Sequence, residues 1–103
     1  PSSTGDAKAA VEYLLTLNVT HLGIIYIRDS YGLTYRKALQ SAAKGKIDTM
    51  TFSYAWSSDP EERQILMLNG LQQLKKSRFR YFFAVVPGKH YDELMELAYE
   101  IGI

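Results

Sequence analysis

Leu22-Gly23-Ile24-Ile25-Tyr26-Ile27, running into Arg28-Asp29-Ser30-Tyr31-Gly32, is the stretch whose reading decides the fold. Its first six residues carry hardly a polar group. A strand of that kind buries both faces, as in a parallel sheet covered on either side. The tight Asp-Ser-Tyr-Gly corner ends the strand, and a helix opens directly after it. Tyr31 therefore stands at the C-terminal end of an expected central strand, where open α/β sheets bind their ligands.

Working outward, the flanks alternate helix and strand. Upstream, Ser2-Ser3-Thr4 reads as a helix start, with Asp6 in the first turn, favourable to the helix dipole. Ala7, Ala10, Val11, Leu14 and Leu15 recur at helical spacing. Downstream, a helix is expected from about Leu33 to Lys44, stopped by Gly45. Ile47–Tyr54 alternates in part and reads as a strand nearer the sheet edge. Ser57-Ser58-Asp59-Pro60-Glu61-Glu62 opens a helix to about Lys76, with a cap, a proline at the first helical position and two carboxylates. Tyr81–Val86 is a third strand, its Tyr81-Phe82-Phe83 run expected in the core, and Pro87-Gly88 ends it. A last helix from about Tyr91 to Ile101 is expected to bury Leu94, Met95, Leu97, Ala98 and Ile101.

Strict alternation with right-handed crossovers predicts a three-layer αβα, Rossmann-like parallel sheet in the order 2-1-3. All 103 residues form one expected domain. The third strand would be an apolar edge, so the sheet is expected to continue in sequence beyond this stretch. The start at Pro1, without methionine, points the same way, toward a piece of a longer protein.

Composition narrows the function. Twelve basic and 11 acidic residues are interspersed for a net charge of +1, so there is no basic stripe for nucleic acid. No apolar run approaches the roughly 20 residues that span a bilayer. The absence of cysteine excludes disulfides, thiolate catalysis and cysteine-ligated zinc. Asn18-Val19-Thr20 is a glycosylation sequon in a helix-to-strand turn.

Three loops are expected to converge at the C-terminal rim: Arg28-Asp29-Ser30-Tyr31, Tyr54-Ala55-Trp56-Ser57-Ser58 and Pro87-Gly88-Lys89-His90. Ser30, His90 and Asp29 supply triad residue types, but no nucleophile-elbow motif supports them, and no enzyme is expected. His21 and His90 lie at opposite strand ends, so no metal site is expected either. Ser30-x-Gly32-x-Thr34 weakly resembles a flavodoxin phosphate loop, leaving a flavodoxin-like domain as an alternative. It lacks the three-glycine dinucleotide pattern, and the leading reading needs no cofactor. Pro87 stands where a response regulator ends its third strand with an acidic residue. What remains is Tyr31, Tyr54, Trp56, Arg28 and several serines, a set suited to non-covalent recognition of a small molecule. Each has a plainer reading: Tyr31 packing its corner, Trp56 covering the end of the core, Arg28 a solvated charge.

Three segments together resemble the type 1 periplasmic-binding fold: Pro1-Ser2-Ser3 opening a helix, Leu17-Asn18-Val19-Thr20-His21-Leu22-Gly23-Ile24-Ile25-Tyr26, and Asp29-Ser30-Tyr31-Gly32. Later segments, from Ser58-Asp59 through Arg80–Val86 and Pro87-Gly88 to Glu100-Ile101-Gly102, follow the second lobe of that fold in order and spacing. The family includes branched-chain amino-acid binding proteins and the extracellular regions of metabotropic glutamate and natriuretic peptide receptors. The resemblance implies an extracellular or periplasmic lobe that closes on a small ligand, an amino acid or similar, against a first lobe absent here. It serves transport or signal transduction. Tyr31 matches the cleft tyrosine of that family. Ser3 and Pro87, followed by Gly88, stand where the glutamate-receptor branch carries acidic groups, so the amine-binding side has lost negative charge. A lobe without ligand that pairs with a second copy, as in some paired receptors, is a further alternative.

Overall fold

The computed structural model describes residues 3–103; Pro1, Ser2 and the side chain of Ser3 lie outside the described residues, so the expected opening turn is not placed. Seven elements follow in strict alternation: α1 (Ser3–Thr16), β1 (His21–Ile27), α2 (Ser30–Ala43), β2 (Asp48–Tyr54), α3 (Pro60–Ser77), β3 (Tyr81–Val85) and α4 (Gly88–Glu100). The strands form one parallel sheet in the order β2-β1-β3, as the sequence pattern predicts. Register runs from His21 opposite Asp48 to Ile27 opposite Tyr54 on one edge of β1, and from Leu22 opposite Tyr81 on the other.

The pleat of β1 feeds two cores. Leu22 and Ile24 join Ala7, Val11, Leu39 and Ala43 beneath α1 and α2. Ile25 and Ile27 join Phe52, Met67, Leu71, Leu74, Leu94 and Leu97 beneath α3 and α4. Burying each such aliphatic side chain is worth about 2 kcal/mol. Because both faces are covered, the helices lie on either side of the sheet in three layers.

Three local readings change. First, α2 begins at Ser30, three residues earlier than its spacing suggests. Asp29 caps it, its Oδ1 accepting from the Gly32 N–H at 2.7 Å, so Tyr31 sits in a first helical turn rather than on a loop. Second, α4 begins at Gly88 rather than near Tyr91. Pro87 (φ −57°) already holds the fixed φ that lets a helix follow at once. Third, the Tyr81-Phe82-Phe83 run is not fully core. Tyr81 is 44% exposed, and Phe82 and Phe83 are half-buried. Among the described residues β3 pairs only with β1, and one flank of an edge strand stays open. Met95 and Ile101 are likewise half-buried rather than enclosed.

Gly32 is dictated by close approach. It is buried, and a Cβ there would run into the carbonyl oxygen of Ile27. The first turn of α2 is thus pressed onto the end of β1. Gly32→Ala is expected to destabilise the fold by about 3 kcal/mol, since the obstacle is backbone that cannot step aside. Asp29→Ala is expected to cost about 1 kcal/mol through the lost cap. Urea denaturation of the two variants checks both, and the larger loss belongs to Gly32→Ala.

Candidate functional site

The ends of the strands bring the predicted loops onto one rim. The Arg28 N–H donates to the Tyr54 carbonyl at 3.0 Å, so the β1 and β2 exits run side by side. Beyond them, two groups of side chains stand on opposite faces of the sheet. On the α2 side, Tyr31 is 52% exposed and tilts against Tyr35 at 6.1 Å between ring centroids. Tyr35 in turn stacks on Phe83 at 5.8 Å. Burial, with Asp6 and Tyr31 adding to it, raises the Tyr35 phenol above its usual value.

On the α3/α4 side, Trp56 is 43% exposed. Its ring lies 4.6 Å from that of His90, and the Arg63 guanidinium carbon lies 5.6 Å from the indole centroid. Arg63 forks onto the Glu93 carboxylate, Nε at 3.2 Å from both oxygens and Nη2 at 3.1 Å from Oε2. Its Nη1 donates to the Ser57 carbonyl at 3.3 Å. Beneath lie two buried polar atoms without hydrogen-bond partners among the described residues, Tyr54 Oη and His90 Nε2. Burial, first, pushes the Tyr54 phenol far up, with Asp29 and Glu93 reinforcing it and Arg63 opposing. Burial also pulls the His90 imidazole below 6.5, aided by Arg63 and Lys89 and opposed by Glu93.

The other predicted residues divide. Arg28 is exposed and makes no ion pair or side-chain hydrogen bond among the described residues. Pro87 is half-buried, and its carbonyl accepts from the His90 N–H at 2.9 Å. Gly88 is exposed, with nothing within 4 Å of where a Cβ would stand, so packing does not demand a glycine there. The Ser3 side chain lies outside the described residues. Tyr31 and Trp56 share the rim but not a contact, because they project from opposite faces of the sheet.

Arg63 and Glu93 escape sequence reasoning. Thirty residues separate them, and neither local pattern announces a partner. His90 reads as a rim loop residue, yet it is 9% exposed in the first turn of α4.

Asn18, in a left-handed turn (φ 60°), is exposed at the opposite end of the sheet. It borders a pocket of about 490 Å³ with His21, Arg78, Phe79 and Tyr81. That pocket lies at the strand N-termini, away from the rim where open α/β sheets take ligands. Among the described residues no cluster of three or more His, Asp or Glu is placed to hold a metal ion, and no helix is long and apolar enough to cross a membrane.

No protein-family model and no curated protein matches this sequence. Solved structures do match the fold. An extracellular ligand-binding receptor from Verminephrobacter eiseniae superposes with a TM-score of 0.83 at 13% identity, over 96% of this chain and 27% of that one. A periplasmic binding protein from Burkholderia mallei gives 0.77 at 13% identity, over 98% and 26%. An ABC transporter substrate-binding protein from Desulfitobacterium hafniense, in complex with Leu, gives 0.74 at 19% identity, over 100% and 30%. The chain has the type 1 periplasmic-binding fold in part, as one incomplete lobe. It spans less than a third of the length of these proteins.

The buried His90 makes a pH prediction. It is neutral in the fold, and the unfolded chain takes up its proton more readily. Its contribution to stability is therefore complete above the usual value of 6.5 and is lost as pH falls below it. Urea midpoints are expected to drop between about pH 7 and 5. His90→Gln is expected to flatten that drop, and equal slopes in the two proteins would show that other groups cause it.

Proposed function

We propose that residues 1–103 form a single domain, part of the second lobe of an extracellular or periplasmic binding protein or receptor. It is a non-catalytic piece that holds a small molecule, an amino acid or similar, against a first lobe of the same protein. Tyr31, Arg28, Trp56, Pro87, Gly88 and Ser3 are the residues assigned to the ligand. One observation carries the reading. Two large aromatic rings, Tyr31 and Trp56, stay about half exposed at the C-terminal rim of a parallel sheet whose central strand buries Leu22, Ile24, Ile25 and Ile27.

The fold match supports the class of protein, and the Leu bound to a similar substrate-binding protein supports an amino acid as the first ligand to try. The open space over Gly88, and Arg28, which makes no ion pair among the described residues, suit a ligand arriving from the facing lobe. Closure of two lobes buries the ligand between them, so one lobe alone binds weakly. In transport the site would capture its ligand, and in a receptor closure would carry the signal.

A second reading has its own observation. The edge of β3 is open, with Tyr81 44% exposed, which suits pairing with a second copy of the chain. No comparable observation favours a flavodoxin-like cofactor site.

Isothermal titration of the two-lobed parent with leucine and a panel of amino acids tests the leading reading. Tyr31→Ala and Trp56→Ala are each expected to weaken binding about tenfold. Unchanged affinities in both variants would make the two rings structural and remove the site assignment.

A further inference from the structure

Trp56 is gripped from beneath. A tryptophan that merely caps the end of a core needs only apolar neighbours. This one has a guanidinium over its ring at 5.6 Å and an imidazole at 4.6 Å. The guanidinium is itself immobilised. Its fork on Glu93 ties α3 to α4, and its remaining arm bonds the Ser57 carbonyl, one residue beyond Trp56. Arg63 and Glu93 are well shielded, their side chains 12% and 31% exposed, so water competes weakly for the pair. All three guanidinium nitrogens of Arg63 are thus engaged, two on Glu93 of α4 and one on the loop that carries Trp56. Neither Ala55 nor Pro87 brings a charge to this part of the rim.

We propose that Arg63, held by Glu93 and backed by His90, is a positioning residue that fixes the Trp56 indole as a pre-ordered wall for an uncharged, apolar part of the ligand. The idea rests on the proposed cleft but adds the device that sets its shape. Arg63 already lies over one face of the indole, so an ammonium group approaching the ring meets a cation nearby and gains less from it. Pre-ordering also lowers the entropy cost of binding, because the wall does not have to be immobilised when the ligand arrives.

Trp56 is the sole tryptophan of the chain, so its emission reports this ring alone. The experiment compares acrylamide quenching and fluorescence anisotropy in the 103-residue chain, with circular dichroism confirming that each variant is folded. Arg63→Gln is expected to raise the quenching constant about twofold and lower the anisotropy, as the cation over the ring is lost. Arg63→Lys is expected to do nearly the same, because an ammonium neither forks nor stacks flat. Glu93→Gln, which keeps size and disturbs only the fork, guards against an unfolded Arg63 variant and is expected to shift both readouts in the same direction. Glu62→Gln, on the exposed face of α3, is expected to shift neither.

If the melting temperature falls while quenching and anisotropy stay at wild-type values, Arg63 is only a strut between helices and the proposal is overturned. Wild-type values in Arg63→Lys would overturn it too, since charge alone would then suffice. The cleft reading fails separately: Trp56→Ala leaving leucine and panel affinities of the parent unchanged removes the ligand, whatever Arg63 does to the ring.

Discussion

The structure depends on a central strand whose four aliphatic side chains are shut in on both faces. Ile24 and Ile25 retain no exposed surface, Leu22 and Ile27 retain 1%, and β1 hydrogen-bonds to a neighbour along both edges. Such a strand offers no polar outlet except at its ends. The chain therefore has to turn as soon as it leaves the sheet, and Asp29 supplies the cap that makes an immediate helix possible. Gly32 lets that helix close onto the Ile27 carbonyl. Tyr31 is projected from the rim because Asp29 before it and Gly32 after it are committed to this junction.

The same constraint sorts the rim chemistry by face. Side chains leaving toward α2 meet Tyr35 and Phe83 and build an aromatic ladder. Those leaving toward α3 and α4 meet the Arg63–Glu93 pair, His90 and Trp56. The rim therefore presents phenol on one side and indole on the other, with Arg28 at the exit of the strand between them. The polar groups under Trp56 are balanced unevenly: Arg63 is fully engaged, whereas Tyr54 Oη and His90 Nε2 find no partner among the described residues. Burial without partners holds both groups in their neutral forms.

Element order, strand order and most of the core were legible because they follow from periodicity. A wholly apolar strand must be central, and a Ser-Ser-Asp-Pro-Glu-Glu run must open a helix, whatever surrounds them. The readings that moved were those in which a local signal competes with a distant one. Ser30-Tyr31-Gly32 looks like a loop until the Asp29 cap and the packing against Ile27 draw it into α2. Tyr81-Phe82-Phe83 looks like core because its apolar character is real, but exposure depends on whether another strand lies alongside, which no residue in the run encodes.

By itself the sequence determined a parallel α/β sheet in the order 2-1-3 and put Tyr31, Trp56 and Pro87 at the C-terminal ends of its strands, because hydrophobic pattern and turn chemistry act over a few residues. Tertiary structure alone decided that Arg63 meets Glu93, that His90 is buried against Trp56, and that Tyr31 and Trp56 stand on opposite faces of the sheet. Those outcomes depend on how helices thirty residues apart pack over a common strand, and contact at that range is written in geometry rather than in any local stretch of residues.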